Sequence, residues 1–264
     1  MDYLKQFDEK QLVFIIGIHR SGTTILSHFL GEQAAISGFE NTGFPSDEGQ
    51  YLQTVFPIDV DFGGVGKFAF KKKFAYTEAS ELVTEANRKS LIEGWCKHWD
   101  LSKSILVEKS PPNIIRTRFL QAMFPNAKFI TIFRHPIAVS YATQKWAKTS
   151  FRQLLKHWTT AHKIYLKDRP KLKQEFCFTY EELVSNPEKI LSALSDFIGI
   201  DIKYSGEFRN SNKNYFERWH GMKYEFLQGY QRKALIIEFE KAVRKFGYSM
   251  LDLNKFAKQE DLFK

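Results

Sequence analysis

The sequence predicts an α/β fold of three layers, a central parallel sheet flanked by helices on both faces. Three observations carry that expectation. The runs at residues 12–17, 104–108, 128–133 and 176–179 are short and dominated by apolar residues, as in strands buried on both faces. Segments with helical spacing of apolar residues separate them, and strands alternating with helices mean a parallel sheet built by crossovers. No internal repeat, low-complexity tract or Pro/Gly-rich linker interrupts the chain, so residues 1–264 are expected to form one domain. Right-handed crossovers then bring the C-terminal ends of the strands, and the loops after them, to one edge.

The first strand, residues 12–17, leads through Ile18-His19-Arg20-Ser21-Gly22 into a helix over 23–31. Such a loop aims its backbone N–H groups at one spot, and the helix N-terminus adds partial positive charge there, which suits an anion. The spacing of Gly17 and Gly22 is that of the Walker A pattern G-x-x-x-x-G-K-[ST], but Thr23-Thr24 follows Gly22 and the lysine is missing. The cation stands at Arg20, inside the loop. The phosphate cradle is kept; the lysine that an ATP-using enzyme sets on the β/γ-phosphates is not.

Gly31, Gly38 and Gly43 then punctuate an irregular stretch that reaches about residue 76 and is rich in Phe and Gly. A long loop in a compact domain is either a lid or pocket wall, or packs its own aromatics as a satellite core. Thr77 or Ser80 is expected to cap a helix running to Trp99. After the strand at 104–108, Asn113 to Met123 reads as a helix stopped by Pro125, and 128–133 as a strand. Helices are expected from Pro136 to about Lys148 and from about Phe151 to Lys167, then the strand at 176–179. Pro187 to Phe197 is a helix with Gly199 just past its end, and Arg232 to Phe246 a final helix before Gly247.

Composition narrows the classes. An apolar content of 43% is that of a globular chain, not a disordered one. No run of about 18 or more apolar residues occurs, so no membrane span is expected. Residues 1–5 lack the apolar stretch of a secretory signal. Cys96 and Cys177 stand far apart, form no metal-spacing or redox motif, and point to a reducing, cytoplasmic compartment. The formal net charge of +9 admits nucleic acid, an anionic membrane, an acidic polymer or a small polyanionic cofactor. Lys71-Lys72-Lys73 suits a solvated loop, and no zinc finger, RRM signature or continuous basic helix is present. Neither nucleic acid nor membrane is therefore expected as a partner, and a polyanionic nucleotide accounts for part of the excess charge.

Three segments that follow strand ends carry the polar groups such a nucleotide needs: Arg20 to Thr24, Glu108-Lys109-Ser110-Pro111-Pro112-Asn113, and Arg134-His135-Pro136 with the helix it opens. A fourth, Tyr180-Glu181-Glu182-Leu183-Val184-Ser185-Asn186-Pro187, follows the strand at 176–179. Together they resemble the sulfotransferases that use 3′-phosphoadenosine 5′-phosphosulfate (PAPS), bacterial-type members related to the protein-tyrosine and carbohydrate enzymes. The family loop [KR]-[ST]-G-[ST]-[ST] is matched at every position by Arg20-Ser21-Gly22-Thr23-Thr24. The other three match its E-K-[SD]-P, R-[DNH]-P and Y-E-x-L segments. The resemblance spans residues 13–190 and implies a P-loop NTPase-like sulfotransferase fold.

It further implies that Arg20, Ser21, Gly22, Thr23 and Thr24 hold the 5′-phosphosulfate, that Lys109 lies at the reaction centre, that Arg134 binds the 3′-phosphate, and that Tyr180 lies near the adenine. The family serine eight residues after the 3′-phosphate arginine is Ala142 here. Thr143 and Ser140 flank the position; Thr143 lies nearer the expected helix face, with Ser140 as the alternative. For the base that takes the acceptor proton there are three candidates. Glu40 lies about twenty residues after Arg20, as in protein-tyrosine relatives; Glu48 belongs to a Asp47-Glu48-Gly49-Gln50 segment resembling some bacterial members; His19 is inside the loop. They rank Glu48, Glu40, His19. Lys213 can supply the cation of a late loop closing over the nucleotide.

The implied reaction moves a sulfuryl group in line from PAPS to a hydroxyl or amine of a small-molecule acceptor and releases PAP. Side chains neutralise the leaving phosphate, so no metal is required. Residues 38–76 are then the expected acceptor-pocket or lid region. Its aromatic residues, Phe62 and Phe68 among them, together with Trp146 and Trp158, are expected to line that pocket. Two other functions compete: a P-loop nucleotide kinase, against which the missing lysine speaks, and a non-catalytic binder of polyanions, driven by net charge alone. Oligomeric state is left open.

Overall fold

Five parallel strands make one sheet in the order β2-β3-β1-β4-β5. They are β1 (Gln11–Ile16), β2 (Ile36–Ser37), β3 (Ile105–Lys109), β4 (Lys128–Phe133) and β5 (Glu175–Thr179). This is a computed structural model, and it describes residues 3–204 and 206–263; Met1, Asp2, Ser205 and Lys264, part of the expected domain, lie outside the described residues. The helices are α1 (Tyr3–Asp8), α2 (Thr23–Gly31), α3 (Glu85–Trp95), α4 (Thr117–Met123), α5 (Pro136–Gln144), α6 (Phe151–Asp168), α7 (Tyr180–Ser185), α8 (Pro187–Ile198), α9 (Lys213–Gly221) and α10 (Phe226–Arg244).

Two cores sandwich the sheet because successive strand residues point to opposite faces. Phe14, Leu106, Phe129 and Phe133 join α3, α4, α6 and α10 on one side. Val13, Ile15, Val107, Ile130 and Ile132 join α2, α7 and α8 on the other. In the register Ile15 sits opposite Lys109 and Ile130. β3 ends at Lys109, opposite Ile15, and β4 runs on to Phe133, so the three predicted polar segments emerge stepwise along the same edge of the sheet. No helix among the described residues is long and apolar enough to cross a membrane.

Several elements differ from the expectation. The helix expected from Thr77 or Ser80 to Trp99 is α3, capped by Thr84, whose hydroxyl accepts from Asn87 N at 3.1 Å. Thr77 and Ser80 instead close successive turns, to Ser80 N and Val83 N. The segment 113–123 breaks at Arg116 (φ −143°), leaving a short 3₁₀ turn, Pro111–Ile115, before α4. α1, β2, α7 and α9 add to the expected elements, and α10 begins at Phe226, well before Arg232. The irregular stretch holds five 3₁₀ turns between Pro45 and Phe74. Phe62 and Phe68 in it are fully buried in the larger core, so the packing alternative holds for them rather than the pocket-wall one.

Candidate active site

The donor loop is shaped by glycine where nothing larger fits. A Cβ on Gly17 would lie 2.8 Å from Ser21 Oγ and 2.9 Å from the Ile132 carbonyl, so the loop closes against β4 only because position 17 is bare. Ser21 Oγ donates to the Ile18 carbonyl, which turns its hydroxyl inward to brace the loop. Arg20 (φ 69°) and Gly22 (φ 108°) take left-handed conformations. Gly22 is the N-cap of α2 and brings no side-chain cap. The first N–H groups of α2 are thus left for a ligand.

The 3′-phosphate arginine of the sequence reading, Arg134, lies beside this loop. Its Nη1 donates to the Arg20 carbonyl and its Nε to Asn212 Oδ1, both at 2.8 Å. Its guanidinium lies 4.2 Å from the centroid of the Tyr180 ring. Arg134 Nη2 is buried and has no partner. An oriented guanidinium with one donor unspent is what a phosphate-binding arginine needs. Asn212, a residue the sequence did not single out, is held in turn by Glu181 Oε1, which accepts from Asn212 Nδ2 at 2.6 Å and from His135 N at 3.0 Å. Tyr180 donates its hydroxyl to the Arg209 carbonyl and packs its ring edge on Gly22.

A cleft of about 470 Å³ opens over these groups, lined by Arg20, Gly22, Thr23, Thr24 and Arg134 on one side and by Pro45, Ser46, Glu48, Tyr51, Val65 and Pro111 on the other. A larger open groove of about 790 Å³ lies elsewhere, along α8, with Glu188, Asp196 and Asp201 on its walls; its acidic lining is wrong for an anion.

Lys109 ends β3 and is buried behind the cleft wall. Its Nζ donates to the Ser46 carbonyl at 2.7 Å and lies 3.4 Å from Glu48 Oε1. Gln50 Nε2 donates to the other Glu48 oxygen at 2.6 Å. Burial pushes the Glu48 carboxyl above the usual range against the opposing pull of Lys109. Burial also pulls the Lys109 ammonium down, against the support of Glu48. Next to Lys109, Glu108 points to the opposite face of β3 and accepts from Ser110 Oγ and Asn113 Nδ2. Burial raises its pKa to about 7. Ser110 Oγ also accepts from Gln50 N at 2.9 Å, so the E-K-S segment clamps the loop that carries Glu48.

The structure separates the three base candidates. Glu48 lines the cleft. Glu40 is exposed, with its Oε1 beside Gly31 at the far end of α2. His19 Nε2 lies 3.5 Å from Asp59 Oδ2, and burial, then Lys109 and Arg20, hold its pKa down to about 3. Ser140 and Thr143 face a small cavity behind the donor loop, and it is Ala142 that lines the cleft. Lys213 is exposed at the start of α9. Trp146 lines the cleft, with the Arg20 guanidinium 5.3 Å from its ring. Trp158, expected in the pocket, is fully buried and donates to the Arg134 carbonyl.

Comparison with known proteins adds the following. A model of the sulfotransferase family matches residues 12–204. The chain is 26% identical over 204 residues to protein-tyrosine sulfotransferase 2 of Gallus gallus, covering 73% of this chain and 52% of that one. It is 25% identical over 200 residues to protein-tyrosine sulfotransferase A of Caenorhabditis elegans, covering 71% and 50%. The chain spans about half the length of these curated relatives. Among solved structures, a sulfotransferase of Mycobacterium tuberculosis H37Rv superposes with a TM-score of 0.50 at 15% identity, over 76% of this chain and 71% of that one, a likeness of fold.

Proposed function

The chain belongs to the sulfotransferase family, and from that premise we propose that it moves the sulfuryl group of PAPS to a hydroxyl or amine of a small-molecule acceptor and releases PAP. One observation carries the reading: a buried carboxylate–ammonium pair, Glu48 and Lys109, stands across the cleft wall from an anion cradle that lacks the ATP-type lysine. When bound, PAPS supplies an activated sulfuryl group and a phosphate leaving group. The α2 N-terminus, Arg20, Thr23 and Thr24 hold its 5′ end. Arg134 gives its unspent Nη2 donor to the 3′-phosphate, and Tyr180 sets the guanidinium from below.

Glu48 is the base. It takes the proton of the attacking O–H or N–H as the bond to sulfur forms and the bond to the 5′-phosphate oxygen breaks. Lys109 has three donors, and two go to the Ser46 carbonyl and Glu48. The third serves the charge that develops on the leaving oxygen. Apolar walls from Pro45, Tyr51, Val65 and Pro111 suit an acceptor with a hydrocarbon or ring body. Cys96 and Cys177 are both free and buried, and a reducing, cytoplasmic setting is part of the proposal.

The test is an acceptor screen with PAPS and mass detection, run beside calorimetric titration with PAP and with ATP. PAP binding without ATP binding, and a sulfated product that Glu48→Gln and Lys109→Ala each reduce by about 10²–10³, is the expected result. ATP binding without PAP binding would overturn the reading in favour of a nucleotide kinase.

A further inference from the structure

A small cavity lies between the donor loop, α5 and α6. His19, Gly66, Ser140, Thr143 and His157 are among its walls, and its volume is about 10 Å³. That is room for one water molecule, which needs two to four polar partners. Three side-chain atoms on those walls are buried and unpartnered: His19 Nδ1, Ser140 Oγ and His157 Nε2. Ser140 is 1% exposed and His157 3%. A buried polar atom left unpaired forfeits the hydrogen bond it had with water, and here three of them, from three different elements, meet at one cavity.

We propose that this cavity is a water site, and that its water orients the His19 ring so that Nε2–H ties the donor loop to the acceptor loop through Asp59. One water partners all three atoms. The Ser140 hydroxyl donates to the water, which donates one hydrogen to His19 Nδ1 and the other to His157 Nε2. The His19 proton then resides on Nε2, 3.5 Å from Asp59 Oδ2. From Asp59 the line continues: its N–H donates to Gln50 Oε1 at 2.9 Å, and Gln50 Nε2 donates to Glu48 Oε2. Tyr51 steadies Asp59 from the other side, donating to Oδ1 at 3.2 Å. Phe68 packs against both rings, 5.7 Å from His19 and 4.5 Å from His157, and closes the site off from bulk solvent. The low pKa of His19 agrees with a neutral ring whose free nitrogen is already spoken for. His19 is thus a positioning residue that joins the cradle to the loop of Glu48. That last link rests on the reading of Glu48 as the base; the water and the tautomer do not.

Long-range ¹H–¹⁵N correlation on ¹⁵N-histidine-labelled wild-type protein reads the tautomer directly. The expected spectrum has His19 as Nε2–H and without titration from pH 8 to 5, and Ser140→Ala shifts the ring nitrogens of both His19 and His157. A high-resolution crystal structure should place one water within hydrogen-bond distance of the three atoms. His19→Gln, which keeps an N–H for Asp59, should retain acceptor turnover, while His19→Ala loses roughly tenfold in acceptor kcat/KM, the scale of one hydrogen bond, with PAP affinity kept. A proton on His19 Nδ1, an imidazolium at pH 7, or a dry cavity would overturn the proposal. The spectra and the density need no turnover, so their outcome stands even if no sulfuryl transfer is found.

Discussion

Glu48 shows how a single carboxylate is tuned by its surroundings. Burial raises its pKa and Lys109 lowers it, with the net direction upward. A base must be ionised to work, so acceptor kcat/KM should fall as pH drops through a midpoint above 4.5, the ordinary glutamate value. Glu48→Gln should abolish that acid limb along with most of the rate; a limb that persists would move the base elsewhere. Arg134 makes a second case. Its planar fork spends Nε and Nη1 on protein partners and leaves Nη2 without one, the donor proposed for the 3′-phosphate. Lysine cannot reproduce that division, so Arg134→Lys should weaken PAP by about 10–100-fold, the worth of a charged hydrogen bond, in a calorimetric titration. The loop at Arg20 was legible from local spacing, and Arg134 and Tyr180 stood out through the resemblance to the family's R-[DNH]-P and Y-E-x-L segments. Asn212, which holds Arg134, did not: in the same late loop the charge of its neighbour Lys213 drew the eye, and the partner of Asn212 lies 78 positions away.

Elements decide which side chains face the cleft. On α5 the wall position belongs to Ala142, while Ser140 and Thr143 turn toward the small cavity. The helical angle alone favoured Thr143, but α6 packs on that flank and takes it. Ala142→Ser would restore a hydroxyl at the cleft, and PAP affinity should rise about 10-fold, the lower end for a hydrogen bond to a charged acceptor; unchanged affinity would mean that position 142 lies off the nucleotide. The aromatic stretch teaches the reverse lesson. Phe68 is fully buried between His19 and His157, so Phe68→Ala should cost about 3–5 kcal/mol of stability, seen as a lowered Tm, before it changes any acceptor KM. Sequence composition marked the stretch as aromatic without saying whether the rings face in or out. The true cap of α3, Thr84, was missed for a related reason: Thr77 and Ser80 are equally good caps until turns claim them.

Across the whole molecule, buried histidines couple folding to pH. His19 and His157 are held near 3, and His135 and His162 near 4, each chiefly by burial. Below 6.5 the unfolded chain protonates these rings and the folded chain does not, so stability falls as pH falls from 6.5 toward 4, by about 1.4 kcal/mol per pH unit for each ring. Glu108, raised to about 7, and Asp168, raised to about 6, act in the opposite sense, because the folded state takes up their protons first. Burial raises Glu48, Asp59, Glu175 and Glu181 in that same opposing sense, so the histidine share is read by difference. His162→Phe, set among Trp158, Phe133 and Phe246, should gain Tm relative to the unsubstituted chain as pH falls from 7 to 5; a difference that does not change with pH would contradict it.

The sequence by itself determined the parallel α/β sheet and the glycine-shaped donor loop, and its resemblance to the sulfotransferases pointed to Lys109, Arg134 and Tyr180. The sheet and the loop follow from short-range rules: apolar runs alternating with helical spacing, and glycine where the backbone turns. Only the tertiary structure decided that Glu48 rather than Glu40 meets Lys109, that Ala142 faces the cleft, and that Asn212 and Glu181 hold the arginine. Glu40 and Glu48 are eight positions apart in one irregular stretch, with no period to orient either. Which of them turns inward depends on how Gly49 seats against Glu108 on β3, where a Cβ would come within 2.5 Å of Glu108 Oε1, and that contact exists only once the crossovers have brought the two segments together.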